Sequence, residues 1–404
     1  MDLLKRPPAW IMIATGMLVT LVVVVLARLA YGLILPFMRE DLGLSYQQAG
    51  NLGTASALGY LCLVMLAGVY AARWGGRAAV LVGLAMTTIA FIGLSLASNY
   101  LFLLFLMALL GFGTAFGYTP VISLLASWFP ERRGAVIGMA NSGVGIGILI
   151  TGTLVPYLSA AHGEDGWRLT WGVFVAVSAV ALGAVFLFLR NPPNLVLSGR
   201  GPSAPVDKAS VYRNPHVVIV GLLYGVIGIT YIAQAIFMYS FALDAGVPAL
   251  TAGRLAALMG VLSIFSSPAW GWLSDRFGRG SSLVASVSLT LIGTLIPVIW
   301  PTLPGFAAHF VIVGCTMSGM FTSVLAASAE HVKPAQAPLA MSYVTLFYAI
   351  GQFMGPAAAG LMIEQAGGFR AAFAASCIVM AFGVYLSWRL RTFKRQTVTA
   401  DASV

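Results

Sequence analysis

Charge is what this sequence has least of. Asp, Glu, Lys and Arg make up 8% of its 404 residues, against roughly a quarter in a soluble globular domain. A folded surface facing water needs far more charge, so a water-soluble globule is excluded. Acid is scarcer than base, with 12 Asp and Glu against 22 Lys and Arg, for a net charge of +10. Cysteine is almost missing. Cys62, Cys315 and Cys377 each lie inside an apolar run and give neither a disulfide framework nor metal-ligand spacing. The four histidines form no nucleophile–base or metal constellation with nearby acids, and no phosphate-cradling glycine loop occurs. No enzyme activity, metal or cofactor is therefore expected, and no hydrolysis-driven pump. A sensor with a soluble output domain is also disfavoured, because the longest non-membrane segment is 191–214.

What the chain does have is long apolar runs. Hydrophobic residues are 59% of the sequence and mean hydropathy is +0.93. A membrane-spanning helix needs about 20 mostly apolar residues. The first run, about 9–37, is broken only by Arg28. It is too long for a secretory leader and lacks a small-x-small cleavage site. Uncharged runs follow at 42–72, 78–130, 134–161, 169–189, 217–243, 255–274, 280–329, 334–363 and 371–388. Two of them hold a pair of helices each, split at Ser98-Asn99-Tyr100 and between Pro301 and Pro304, where the composition favours turns. The reading is an all-α membrane protein with 12 transmembrane helices.

Loops are short except at 191–214, where Pro192, Pro193, Gly199, Gly201, Pro202 and Pro205 give a linker composition. That segment divides the chain into 1–190 and 215–404, six helices each. With the N-terminus in the cytoplasm, 17 of the 22 basic residues fall on the cytoplasmic side. Four fall outside (Arg39, Arg168, Arg254 and Arg370), and Arg28 falls in the membrane. Excess Lys and Arg marks cytoplasmic loops, so both termini are expected in the cytoplasm and the chain in the cytoplasmic (inner) membrane. The positive charge is then a matter of orientation, not a footprint of nucleic acid.

The halves repeat. Gly68-Val-Tyr-Ala-Ala-Arg-Trp-Gly-Gly-Arg77 pairs with Gly271-Trp-Leu-Ser-Asp-Arg-Phe-Gly-Arg-Gly280. Gly166-Trp-Arg-Leu-Thr-Trp171 pairs with Gly368-Phe-Arg-Ala-Ala-Phe373, and Pro130 pairs with Pro334. The offsets are 203, 202 and 204 residues. Two parallel repeats imply two pseudo-symmetric six-helix bundles around a central cavity, with substrate near the midplane.

The Gly271–Gly280 segment resembles the G-x-x-x-D-R-x-G-R signature of the major facilitator superfamily (MFS). The resemblance implies the MFS fold, alternating access, and a latching role for this loop on the cytoplasmic side. It points to Arg73 and Arg77 in the first copy and to Asp275, Arg276 and Arg279 in the second as gating residues. The first copy departs from the signature, with Ala72 in place of the acid. A narrower resemblance is carried by Gly111-Phe-Gly-Thr-Ala-Phe-Gly-Tyr-Thr-Pro120, Trp128-Phe-Pro-Glu-Arg-Arg-Gly134 and Gly138-Met-Ala-Asn-Ser-Gly143. These look like helices 4 and 5 of monocarboxylate and oxalate/formate-type MFS carriers. The Asp-Gly-Gly opening of those carriers is absent from the first helix, as is their basic residue in the eighth.

Arg28 carries the functional argument. A cation deep in the bilayer costs several kcal/mol and persists where it faces a cavity or a partner. Every acidic residue falls in a loop, a terminus or a last helical turn, so no acid meets it. Such an arginine attracts an anion, and its planar fork suits a carboxylate. Tyr31, three residues on, is expected on the same helical face. The repeat offset carries Arg28 to Tyr231 and Tyr31 to Gln234. Tyr118 and Asn141 in the fourth and fifth helices, and Tyr348 and Gln352 in the eleventh, complete the expected polar lining. The placement of Arg28 and Tyr60 also resembles organic-anion and organophosphate MFS carriers. The glycines of the fifth and eleventh helices are read as close helix packing, and His309 as a structural histidine.

The expectation is a secondary carrier, a monomer in the lipid bilayer, moving a small organic anion, above all a monocarboxylate, with or without a coupled proton or counter-anion. One arginine matches one carboxylate, and no second intramembrane cation is present for a dianion. The alternative is efflux of amphipathic drugs or a neutral metabolite, with Arg28 structural.

Overall fold

The computed structural model describes residues 8–192, 208–332 and 336–392. Among them are twelve helices of 21 residues or more. They are α1 (Ala9–Leu42), α2 (Tyr46–Trp74), α3 (Gly76–Leu96), α4 (Tyr100–Trp128), α5 (Arg133–His162) and α6 (Gly166–Phe188). After a short helix at Lys208–Tyr212 come α7 (Pro215–Asp244), α8 (Ala249–Phe277), α9 (Arg279–Ile299), α10 (Leu303–Ser328), α11 (Ala337–Gln365) and α12 (Gly368–Arg391). Eleven apolar stretches are long enough to cross a membrane, and the 54-residue stretch Ala135–Phe188 contains two helices. The centre of the expected linker, 193–207, lies outside the described residues.

Local chemistry sets the boundaries. Ser45 and Gln48 form a reciprocal capping box at the start of α2, satisfying two amides the helix leaves open. Asn99 caps α4 by accepting from the amides of Leu101 and Phe102, and Asn214 caps α7 through the His216 amide. The α2–α3 and α8–α9 corners turn on Gly75 (φ 90°) and Gly278 (φ 86°). Both sit in left-handed backbone that favours glycine, 203 residues apart, so the sequence repeat is also a repeat of backbone shape.

α1 is not one regular helix. Leu21–Leu29 is a π-helix between two α-helical segments, and the Ala30 amide reaches back to the Val25 carbonyl at 2.8 Å. A π turn holds more residues than the 3.6 of an α turn, and such irregularities cluster at functional sites.

Packing between the halves is uneven along the membrane normal. Away from the termini the halves are fused. Phe237, Phe241, Phe306, Phe369 and Phe373 join the same buried cluster as Leu35, Met38, Phe91 and Trp171. Tyr46 packs edge-on against Phe369, its amide donates to Glu364 at 2.8 Å, and Thr54 donates to the Phe353 carbonyl. The α5 glycines, read as packing residues, meet α8, whose own glycines approach α5 in return. A Cβ on Gly152 would lie 2.6 Å from the Ala257 nitrogen, and one on Gly260 would lie 2.7 Å from the Leu149 nitrogen. Toward the termini this close packing ends. Gly68, Gly138 and Gly271 have nothing within 4 Å of where a Cβ would stand. There the second half keeps its own buried cluster, with Leu283, Val324, Ala340 and Leu390. The halves are closed on one side and parted on the side of the termini.

Candidate functional site

Arg28 lies at the end of the π segment, half-buried, between the halves. One guanidinium nitrogen donates to the Gln352 side-chain oxygen of α11 at 3.0 Å. Its carbon lies 5.3 Å from the centre of the Tyr60 ring of α2, within cation–π range. The bond to Gln352 crosses from the first half to the second, and both partners were expected from sequence. No acid joins them. Among the described residues the one ion pair is Arg168 with Asp41 at 3.2 Å, next to the end of α1. Arg28 is thus a cation held by a neutral amide and a ring face.

An aromatic wall surrounds it. Tyr348 stacks on Tyr224 at 4.4 Å with an interplanar angle of 17°. Phe321 meets Tyr231 edge-on at 5.1 Å and Tyr348 at 5.6 Å. Tyr348 lies one turn before Gln352 on α11 and shares its face. On the other flank Tyr118 donates to Asn141 at 3.2 Å, and Tyr60, Tyr118 and Tyr224 lie within electrostatic reach of one another.

Two expected residues also bond elsewhere. Tyr31 is 1% exposed and donates to the Ala49 carbonyl at 2.9 Å, so its hydroxyl is spent within the first half. It still lines the small pocket that Arg28 lines. Gln234 accepts from Thr294 of α9 at 3.2 Å and lines a separate chamber with His309, whose ring nitrogen pairs with the Gly293 carbonyl. Tyr224, Phe321 and Ser56 were not anticipated. Tyr224 lies seven residues before Tyr231, the two-turn spacing of one helical face, so a signal was available. Phe321 offered none. Ser56 is 4% exposed, lines the small pocket with Arg28, and its hydroxyl has no partner.

That small pocket shares Leu29 and Ala235 with a chamber of about 70 Å³. The chamber is mostly apolar, walled by Met238, Met259, Val313 and Met317, with Gln234 and His309 as its polar points. A charged anchor therefore adjoins space for an apolar body.

Four of the expected latch residues make local contacts. Arg73 lies over Trp74, and Arg77 bonds the Asn191 side chain through its amide and the Phe186 carbonyl through its guanidinium. Arg276 lies over Trp272, and Arg279 donates to the Ala326 carbonyl at 3.1 Å. Apart from the bond to Asn191, at the start of the expected linker, each of these contacts stays within its own half. The Asp275 side chain lies outside the described residues. His216, Glu330 and His331 come together at the end of the second half that faces the termini. More than a hundred residues separate His216 from the other two, so no sequence spacing marks them.

Comparison with known proteins agrees with this architecture. Human monocarboxylate transporter 11 is 25% identical over 334 residues, 78% of this chain and 68% of the relative. The hexuronate transporter of Bacillus subtilis (strain 168) is 26% identical over 185 residues, 46% of this chain and 42% of the relative. The crystal structure of a bacterial homologue of the human lysosomal transporter Spinster, inward-facing and unoccupied, superposes with a TM-score of 0.77 at 18% identity, covering 95% of this chain and 97% of that one. The family model described as "Uncharacterised MFS-type transporter YbfB" matches residues 20–388, and the chain belongs to that family of major facilitator superfamily transporters, multi-pass membrane proteins and not enzymes.

Proposed function

We propose that this chain is a secondary carrier for a small organic monocarboxylate, held by Arg28 and moved by alternating access between residues 1–190 and 215–404. The observation that carries the reading is the Arg28 guanidinium, anchored at the interface by Gln352 and Tyr60 with no acid to neutralise it. A carboxylate on its free N–H groups compensates the cation and gains charge-assisted bonds. Tyr60, Tyr118, Asn141, Tyr231 and Tyr348 supply the neutral lining, and Ser56 offers a further hydroxyl. The names of the monocarboxylate and hexuronate relatives support an anionic cargo. By the basic-residue count the termini are cytoplasmic, and the parted side is then the inward one. Arg73, Arg77, Asp275, Arg276 and Arg279 would engage when the carrier opens outward.

The apolar chamber beside Arg28 favours a second reading, export of an amphipathic solute with Arg28 structural. Uptake of labelled small carboxylates into proteoliposomes containing purified protein separates the two. The proposal expects saturable uptake that Arg28→Ala abolishes. Intact carboxylate uptake in Arg28→Ala selects the second reading.

A further inference from the structure

We propose that His216, Glu330 and His331 form a binding site for a divalent cation of the zinc class, outside the transport path. One donor atom from each residue lies within 4.8 Å of the others, and the two imidazole rings are 4.1 Å apart. His216 is 2% exposed at the start of α7. Glu330 and His331 sit on the turn after α10, the first exposed and the second half-buried. A buried imidazole, a second imidazole and a solvent-facing carboxylate make a two-nitrogen, one-oxygen set with a fourth position open to water, which suits zinc. Magnesium and calcium prefer sets made wholly of oxygen.

The backbone around the cluster is already held in place. The Asn214 side chain accepts from the His216 amide at 3.0 Å and donates to the His331 carbonyl at 2.9 Å. One residue therefore fixes both histidines from behind, as an outer layer around a metal site does. A tetrahedral zinc ion with bonds of about 2.0–2.1 Å places its ligand atoms about 3.4 Å apart. The donors must draw together by roughly an ångström beyond their present spacing, and Glu330 and His331, on a turn, can move that far. The bound ion would tie the start of α7 to the end of α10 at the mouth of the cavity. The site is independent of what the cavity carries.

The test is calorimetric titration of ZnCl₂ into the tag-free, chelator-stripped full chain in detergent, with melting temperatures recorded alongside. One equivalent of zinc should bind and raise the melting temperature, and MgCl₂ should do neither. His331→Asn and exposed Glu330→Gln should keep the metal-free melting temperature and weaken zinc by about tenfold or more, since even outer partners of metal ligands are worth 10–100-fold. Asn214→Ala should weaken zinc without removing it. Wild-type affinity in both His331→Asn and Glu330→Gln, or no zinc uptake by the parent, would overturn the assignment. Uptake lost instead on replacing the exposed thiols Cys62 and Cys315 would overturn it equally.

Discussion

Replacing Arg28 separates binding from folding, because the two effects differ in size. A carboxylate taking two N–H groups of the fork forms two charged hydrogen bonds, each contributing about 1.5–3 kcal/mol. Losing both at the lower figure costs about 3 kcal/mol, or about 100-fold in affinity at 1.4 kcal/mol per tenfold. Arg28→Lys keeps the charge and loses the fork, so one bond of about 1.5 kcal/mol goes, about tenfold. Stability follows another ledger. An arginine at a helix centre costs roughly 2.5–3.5 kcal/mol to insert, and its bond to Gln352 at 3.0 Å returns about 1.5–3 kcal/mol. The terms nearly cancel, so Arg28→Ala should melt close to the parent while losing carboxylate uptake. The assay is paired, with proteoliposome uptake and detergent melting on one preparation. Parental uptake together with a clearly lowered melting temperature would refute the reasoning and make Arg28 a structural group.

Three further outcomes are expected. Tyr31→Phe should leave the KM for carboxylate uptake unchanged and destabilise by about 1 kcal/mol, the worth of one buried hydrogen bond, here that to Ala49; a raised KM would show that the hydroxyl serves the substrate instead. Gln352→Leu should weaken uptake affinity by about tenfold, as Arg28 loses a charged hydrogen bond of about 1.5 kcal/mol that aims it, with the Tyr60 contact left in place. Gly152→Leu should prop the closed side open, because even a Cβ there stands 2.6 Å from the Ala257 nitrogen. In a chain lacking Cys62 and Cys315, a cysteine at Ala256 should then react with a membrane-impermeant thiol reagent applied from the side away from the termini, and should stay protected without the glycine change.

The spans, their pairing across halves and the lone intramembrane cation were legible because each rests on a strong local signal. A charge within about 20 apolar residues needs no structure to be noticed. Gln352 was legible for a related reason, since an amide has few places to go in a membrane. The irregular first helix was not legible, because nothing in Leu21–Leu29, a run of β-branched and leucine residues around Arg28, announces a π-helix, and neither was the bond of the Tyr31 hydroxyl to Ala49. Phe321 was invisible because one aromatic in an apolar helix resembles any other. The histidine–glutamate cluster was invisible because tertiary packing alone brings α7 to the end of α10.

The π segment sets where the guanidinium points. Each residue of a regular helix advances the next by about 100° around the axis. Taking out one residue of the regular helix just before the π segment, Ala9–Thr20, would swing Arg28 by about that angle relative to everything before it. Gln352, Tyr60 and the aromatic wall would all remain, yet the cation would face another helix. The aim of the site is therefore written in the count of backbone units leading up to Arg28, and a deletion that touches no side chain of the cavity disarms it more thoroughly than many substitutions within it.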